Sequence, residues 1–340
     1  MSYTTRSLPL NIGKIPRIQK QPLPLDQAKA AKSTKISLVA NSLPRNDYLK
    51  IFKGLTVLFI GDNTIRTLYR DLCSVLQYDR LLTADETARP HGDYHLIENE
   101  HVLVKEGKLK TDEYRDIKEF VLTENSTHLI YIYIATIFNG IPRFNLEYLK
   151  TINQQSSIDM IVFCSYGNDF TKAKIQSSRM KSNAYFEKYL VELSHFLNYL
   201  KNFCRVPSKT QHFFWFTPLP QPFHASQIKE EQFERFLKVT TDLIIKTDDF
   251  ISFDLYDIWK RRKDLTVPQN GYLSLHGIRE VNDCFARFFA NKVNRPFTSS
   301  IPPSITPLSH LNDKPSYRRE WPKPTSQTST KSDRYHPYSR

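Results

Sequence analysis

The segment Leu55-Thr56-Val57-Leu58-Phe59-Ile60 is an almost unbroken apolar run that stops at Gly61-Asp62 and passes straight into a helical repeat. Such a run between polar breaks reads as a strand buried on both faces, the kind found in parallel sheets covered by helices on each side. After the turn, Ile65, Leu68, Tyr69, Leu72, Val75 and Leu76 recur at three- and four-residue steps, the spacing of one helix face. The alternation continues along the chain. Leu129–Ile134, Met160–Cys164, His212–Phe216 and Phe250–Leu255 read as further buried strands, the third of these stopped by Pro218 and Pro220. Between and after them, Ser182–Leu200, Gln227–Lys246 and Ile278–Val293 read as helices, the first turning Tyr185, Tyr189, Leu193, Phe196 and Leu200 inward. The polar stretch His95–Lys110 holds short strands at most. Five buried strands alternating with helices predict an α/β fold of three α/β/α layers around a mostly parallel five-stranded sheet.

The ends of the chain differ from its middle. Of 20 prolines, 13 lie in residues 1–45 and 295–340. The first of these segments holds eight Lys/Arg against one acid, the second eight against three, so they carry nearly all of the net charge of +13 and leave about +1 for residues 46–294. Proline at this density opposes helices and sheet ladders, and both ends are expected to be disordered basic tails around one domain. A dedicated nucleic-acid groove would concentrate charge on the folded part, so no specific nucleic-acid site is predicted, and polyanion binding through the tails stays as a second alternative function. Ser332-Asp333-Arg334-Tyr335-His336-Pro337-Tyr338 is either a short partner motif or part of a plain solubilising tail. No apolar run reaches the ~18 residues of a membrane span. Met1–Lys20 has no compact apolar segment of the secretory kind, and the expected location is cytoplasmic or nuclear. Cys73, Cys164, Cys204 and Cys284 are far apart and read as reduced core thiols. His91, His95 and His101 lack the surrounding ligands of a metal site, so neither metal nor cofactor is predicted.

More specific is the pattern Gly61-Asp62-x-x-x-Arg66-x-x-Tyr69-x-Asp71-Leu72. It resembles the first motif of PC-esterase domain-containing proteins, an intracellular animal branch of the SGNH/GDSL hydrolase superfamily. Leu81-Leu82-Thr83 follows the first helix as in that family, and Glu113-Tyr114-Arg115-Asp116-Ile117-Lys118-Glu119-Phe120 resembles its Tyr-Arg-x-x-x-x-Phe segment. Asp159-Met160-Ile161-Val162 leads into Ser165-Tyr166-Gly167-Asn168-Asp169, and Phe253-Asp254-Leu255 precedes Asn270-Gly271-Tyr272-Leu273, again in the family's order. The resemblance covers residues 50–293 and implies an SGNH-hydrolase-like, flavodoxin-like domain.

The resemblance also implies where an esterase would keep its chemistry, and there the chain departs from the pattern. The nucleophilic serine after Gly-Asp is replaced by Asn63, whose amide cannot be turned into an attacking alkoxide by a neighbouring base. The Asp-x-x-His pair that would orient and provide that base is replaced by Asn270-Gly-Tyr-Leu273. The expected function is therefore a non-catalytic binding or scaffold protein, with a protein partner or a small acyl or anionic ligand. The alternative is an ester hydrolase with a relocated nucleophile or base. For that, His276 lies three residues past the base position, Thr64 offers a hydroxyl about 100° further round the helix, and Cys164 ends a strand near the presumed cleft. Gly61, Asp62, Asn63, Gly167 and Asn168 would form a residual oxyanion-like pocket. Asn63 either serves that pocket or simply caps the first helix. The oligomeric state is not legible.

Overall fold

A computed structural model describes residues 42–87, 95–107, 114–134, 137, 148–152, 157–164, 169, 182–206, 209–219, 230–247, 249–267 and 272–297. The chain enters through a short helix, α1 (Arg45–Phe52), and then forms β1 (Thr56–Gly61) and α2 (Asn63–Tyr78). A one-turn helix α3 (Ala84–Thr87) precedes β2 (Glu100–Glu106), β3 (Arg115–Leu122), β4 (Thr127–Tyr133) and β5 (Met160–Cys164). Next come α4 (Ser182–Cys204), β6 (His212–Phe216), α5 (Glu230–Lys246), β7 (Phe250–Phe253), α6 (Leu255–Arg261) and α7 (Leu275–Lys292).

The sheet has seven strands in the order β2-β3-β4-β1-β5-β6-β7. The five strands read from the sequence are its parallel part, β4-β1-β5-β6-β7. Numbered along the chain they run 2-1-3-4-5, the flavodoxin-like order. The expected count of five is corrected by β2 and β3, which add an antiparallel edge beside β4. Two smaller corrections concern boundaries. The strand at Phe250 ends at Phe253 because Asp254 caps α6, accepting from the Asp257 N–H at 3.0 Å. The last helix begins at Leu275, ahead of Ile278, because the Ser274 hydroxyl accepts from the Gly277 N–H at 3.0 Å.

Strand periodicity splits the parallel strands into two apolar faces. Val57, Phe59, Leu129, Tyr131, Met160, Val162, Phe214 and Phe216 meet α1, α2 and α7 on one side. Leu58, Ile60, Ile130, Ile132, Ile161, Phe163, Phe213 and Trp215 meet α4 and α5 on the other. The helix faces read from the sequence are the buried ones: Ile65, Leu68, Tyr69, Leu72, Val75 and Leu76 on α2, and Tyr185, Tyr189, Leu193, Phe196 and Leu200 on α4. Among the described residues no helix is long and apolar enough to cross a membrane.

Candidate functional site

In an open sheet of this order the chain winds away in opposite directions from the first and third parallel strands, here β1 and β5, and the crevice between their carboxyl ends is where ligands settle. Gly61 ends β1 at that point, level with Cys164 of β5 and Tyr133 of β4. Its lack of a side chain is a packing requirement: a Cβ there would lie 2.5 Å from the Cys164 carbonyl oxygen and 2.6 Å from Ile65 Cγ1. The strand can therefore turn into α2 directly against β5.

Asp62 caps the helix. Its Oδ1 accepts from the Thr64 N–H at 2.8 Å, and its own backbone is extended. The cap is thus one residue earlier than the reading that gave this role to Asn63. Asn63 instead occupies the first helical position, half-buried, with its carbonyl accepting from the Thr67 hydroxyl at 3.2 Å. Thr64 is also half-buried, and its carbonyl accepts from Thr67 at 2.8 Å. The Gly61 and Asp62 carbonyls both receive the Tyr131 hydroxyl, at 3.2 and 3.3 Å.

The segment where the resemblance implies a base leads into α7. Phe285 packs against Phe216 at the end of β6, whereas Phe289 meets His212 at its start, so α7 runs antiparallel to the strands. Its N-terminus therefore lies at the carboxyl end of the sheet, the end that carries Asn63. Leu273 closely precedes it. This leucine pairs with Thr266 in an isolated bridge and packs, half-buried, against the α2-side core. His276 is exposed in the first turn of α7. Gly167, Asn168 and Asn270 lie outside the described residues.

Cys164 is buried against the turn. Burial pushes its thiol well up, and the carboxylates of Asp62 and Asp169 add to the shift. A thiol held protonated in this way is a poor nucleophile. All four cysteines are buried free thiols.

Two residues matter here to which the sequence assigned no role of their own. Tyr131 reads from the sequence only as part of an apolar strand, although Tyr131 and Tyr133 alternate with isoleucines on the face toward α2. Asp169, fully buried, accepts the Ile137 N–H at 2.9 Å on its carboxylate and the Tyr185 hydroxyl at 2.7 Å on its carbonyl. It thereby joins the segments that follow β4 and β5 to α4.

No family model matches the chain, and no curated protein sequence does. Among solved structures, similarity is found to a GDSL-like lipase from Parabacteroides merdae, at 15% identity and a TM-score of 0.42 over 72% of this chain and 97% of that one. Axe2, an acetylxylan esterase from Geobacillus stearothermophilus, is 14% identical with a TM-score of 0.40, over 71% of this chain and 96% of that one. Est24, a carbohydrate acetylesterase from Sinorhizobium meliloti, is 12% identical with a TM-score of 0.39, over 70% and 99%. Likeness of this degree bears no argument about chemistry, which rests on the residues of the site.

Proposed function

We propose that residues 46–294 form an SGNH-hydrolase-like domain of the PC-esterase kind that binds a ligand or partner in its cleft without acyl-transfer chemistry. The observation that carries this reading is Asn63 at the head of α2, where the superfamily pattern has its nucleophile. An amide offers no proton whose loss creates a nucleophile, and the neighbouring carboxylate, Asp62, is engaged in the helix cap. The base position supports the same reading. Leu273 packs toward the core, and an aliphatic side chain can neither take nor return a proton.

The turn keeps what binding needs. A helix N-terminus at the carboxyl ends of parallel strands favours a carbonyl oxygen, a carboxylate or another small anion, and this holds whatever side chain stands at the first helical position. A small acyl or anionic ligand is therefore the favoured class.

Turnover of 4-nitrophenyl acetate by the purified chain tests the reading. The natural protein and its Asn63→Ala variant are expected to match the buffer blank. Turnover abolished by Cys164→Ser, Thr64→Val or His276→Ala would establish a relocated nucleophile or base and overturn it.

A further inference from the structure

We infer that Tyr131 is a positioning residue for the Asn63 turn: its buried hydroxyl joins the last carbonyl of β1 to the carbonyl of Asp62, the cap of α2, and so sets the angle at which Asn63 is presented. This rests on the reading of that turn as the functional centre.

The argument starts from which groups already have partners. The Gly61 carbonyl accepts the Ile134 N–H at 2.9 Å, continuing the β1–β4 ladder. The Asp62 carbonyl accepts the Arg66 N–H at 3.0 Å, the first turn of α2. Neither oxygen needs the phenol to escape being an unpaired buried group, and each has a second lone pair to offer. The single Tyr131 O–H is shared between both second positions, at 3.2 and 3.3 Å. One of the two backbone bonds belongs to the sheet and the other to the helix. The phenol ties them together where the chain changes from one to the other.

The ring is placed to hold that position. Tyr131 lies opposite Phe59 in the β1–β4 register and is fully buried. Tyr69 of α2 stacks on it with centroids 5.6 Å apart, and Phe59 meets Tyr69 at 5.9 Å. Burial pushes the phenol far above its ordinary value, so it remains a donor at any physiological pH. Arg66, Asp116, Tyr133 and Asp62 are the ionisable groups that act on it.

A plain packing role predicts something different. If the hydroxyl bonds there only because a buried O–H must find an acceptor, its removal disturbs the core in general and the turn no more than the rest. Tyr131→Phe keeps the ring and removes the bonds. Amide hydrogen exchange on the full chain separates the two accounts. The expected result is about tenfold faster exchange at Thr64 and Arg66, whose N–H groups bond to Asp62, with amides of β5 and β6 unchanged. Tyr69→Phe serves as the control, since that hydroxyl makes no hydrogen bond to the turn, and it is expected to leave Thr64 and Arg66 as they are. Uniform acceleration across the sheet, or none anywhere, would overturn the inference.

A second arm addresses presentation. In an Asn63→Ser/Asn270→Asp/Leu273→His background, adding Tyr131→Phe is expected to slow labelling by a fluorophosphonate about tenfold. An equal rate would contradict the positioning role. A parent triple variant that does not label at all would count against the proposed function, while the exchange result would still decide the role of Tyr131.

Discussion

Replacing Arg279 by methionine tests the joint that holds α2 against α7 and thereby places the two halves of the proposed site. Asp71, fully buried on α2, accepts from Arg279 Nε at 2.9 Å, from Arg279 Nη2 at 3.0 Å and from Asn282 Nδ2 at 2.9 Å. Arg279 Nη2 also donates to the Arg80 carbonyl at 2.6 Å, and Asn282 reaches the Leu68 carbonyl at 2.9 Å. Arg279→Met removes the countercharge and two of the three donors from a carboxylate that water cannot reach. Breaking one side of such a pair costs about 3–5 kcal/mol. Burial already raises the Asp71 carboxyl above its ordinary value, with Arg279 and Asn282 opposing the shift. Without Arg279 it rises further, and the folded state then binds a proton that the unfolded chain does not. Stability of the variant therefore falls as pH rises from the ordinary carboxyl value to the raised one, and its deficit is larger at pH 7 than at pH 4. Asp71→Leu leaves a buried guanidinium instead and is expected to cost a similar amount. The double variant Asp71→Leu/Arg279→Met removes both charges and is expected to lie within about 1 kcal/mol of the natural protein, because apolar replacements of buried pairs are often neutral. Urea unfolding of the four proteins completes the cycle. A loss below about 1 kcal/mol for Arg279→Met, or additive losses in the double variant, would refute the reasoning.

Three further outcomes are expected. Gly61→Ala forces a Cβ into the Cys164 carbonyl and Ile65; a loss of about 2–3 kcal/mol in urea unfolding is expected, and a loss under about 1 would mean the turn is loosely packed. Lys118, beside Asp116 in the core, is lowered by burial to about 8 from an ordinary 10.5, so between these values the unfolded chain holds a proton that the folded one lacks. Stability attributable to this lysine then rises with pH across that window, and Lys118→Met is expected to lose that part of the slope, which parallel curves for the two proteins would contradict. Burial pushes the thiols of Cys204 and Cys284 up to about 12 and those of Cys73 and Cys164 upward as well; no thiol is expected to react with Ellman's reagent at pH 7.4 until denaturant is added, and prompt release of one equivalent would point to an activated cysteine.

The parallel half of the fold was legible because its strands are buried on both faces and so appear as apolar runs. The antiparallel half was not, because β3 carries Asp116 and Lys118 into the core as an ion pair 3.3 Å apart. These two charged residues break the apolar pattern, although each is 1% exposed. β2 falls within His95–Lys110, where short strands were expected, but as a largely exposed edge strand it has no buried face to fix its bounds. At the site, the turn between β1 and α2 was legible, but the identity of the cap was not. Asp and Asn both cap helices well, so the two adjacent residues compete, and the one-residue offset is decided by which side chain reaches the Thr64 N–H. The partner of Asp71 was also hidden: Arg279 lies 208 positions away, and only packing of α2 on α7 brings them together. Residues 1–41 and 298–340, with Gly167, Asn168 and Asn270, lie outside the described residues, whereas Leu43 is buried and Arg295 donates to the Ile51 carbonyl, so the domain reaches slightly past both expected boundaries.

The central proposal is that the Asn63 turn binds a ligand without a nucleophile or base of its own. Fluorophosphonate labelling tests this most directly, comparing the natural protein with the Asn63→Ser/Asn270→Asp/Leu273→His variant. The account predicts no label on the natural chain and, on the variant, a label on the serine introduced by Asn63→Ser. A label on the natural chain, mapped to any hydroxyl or thiol, would contradict it.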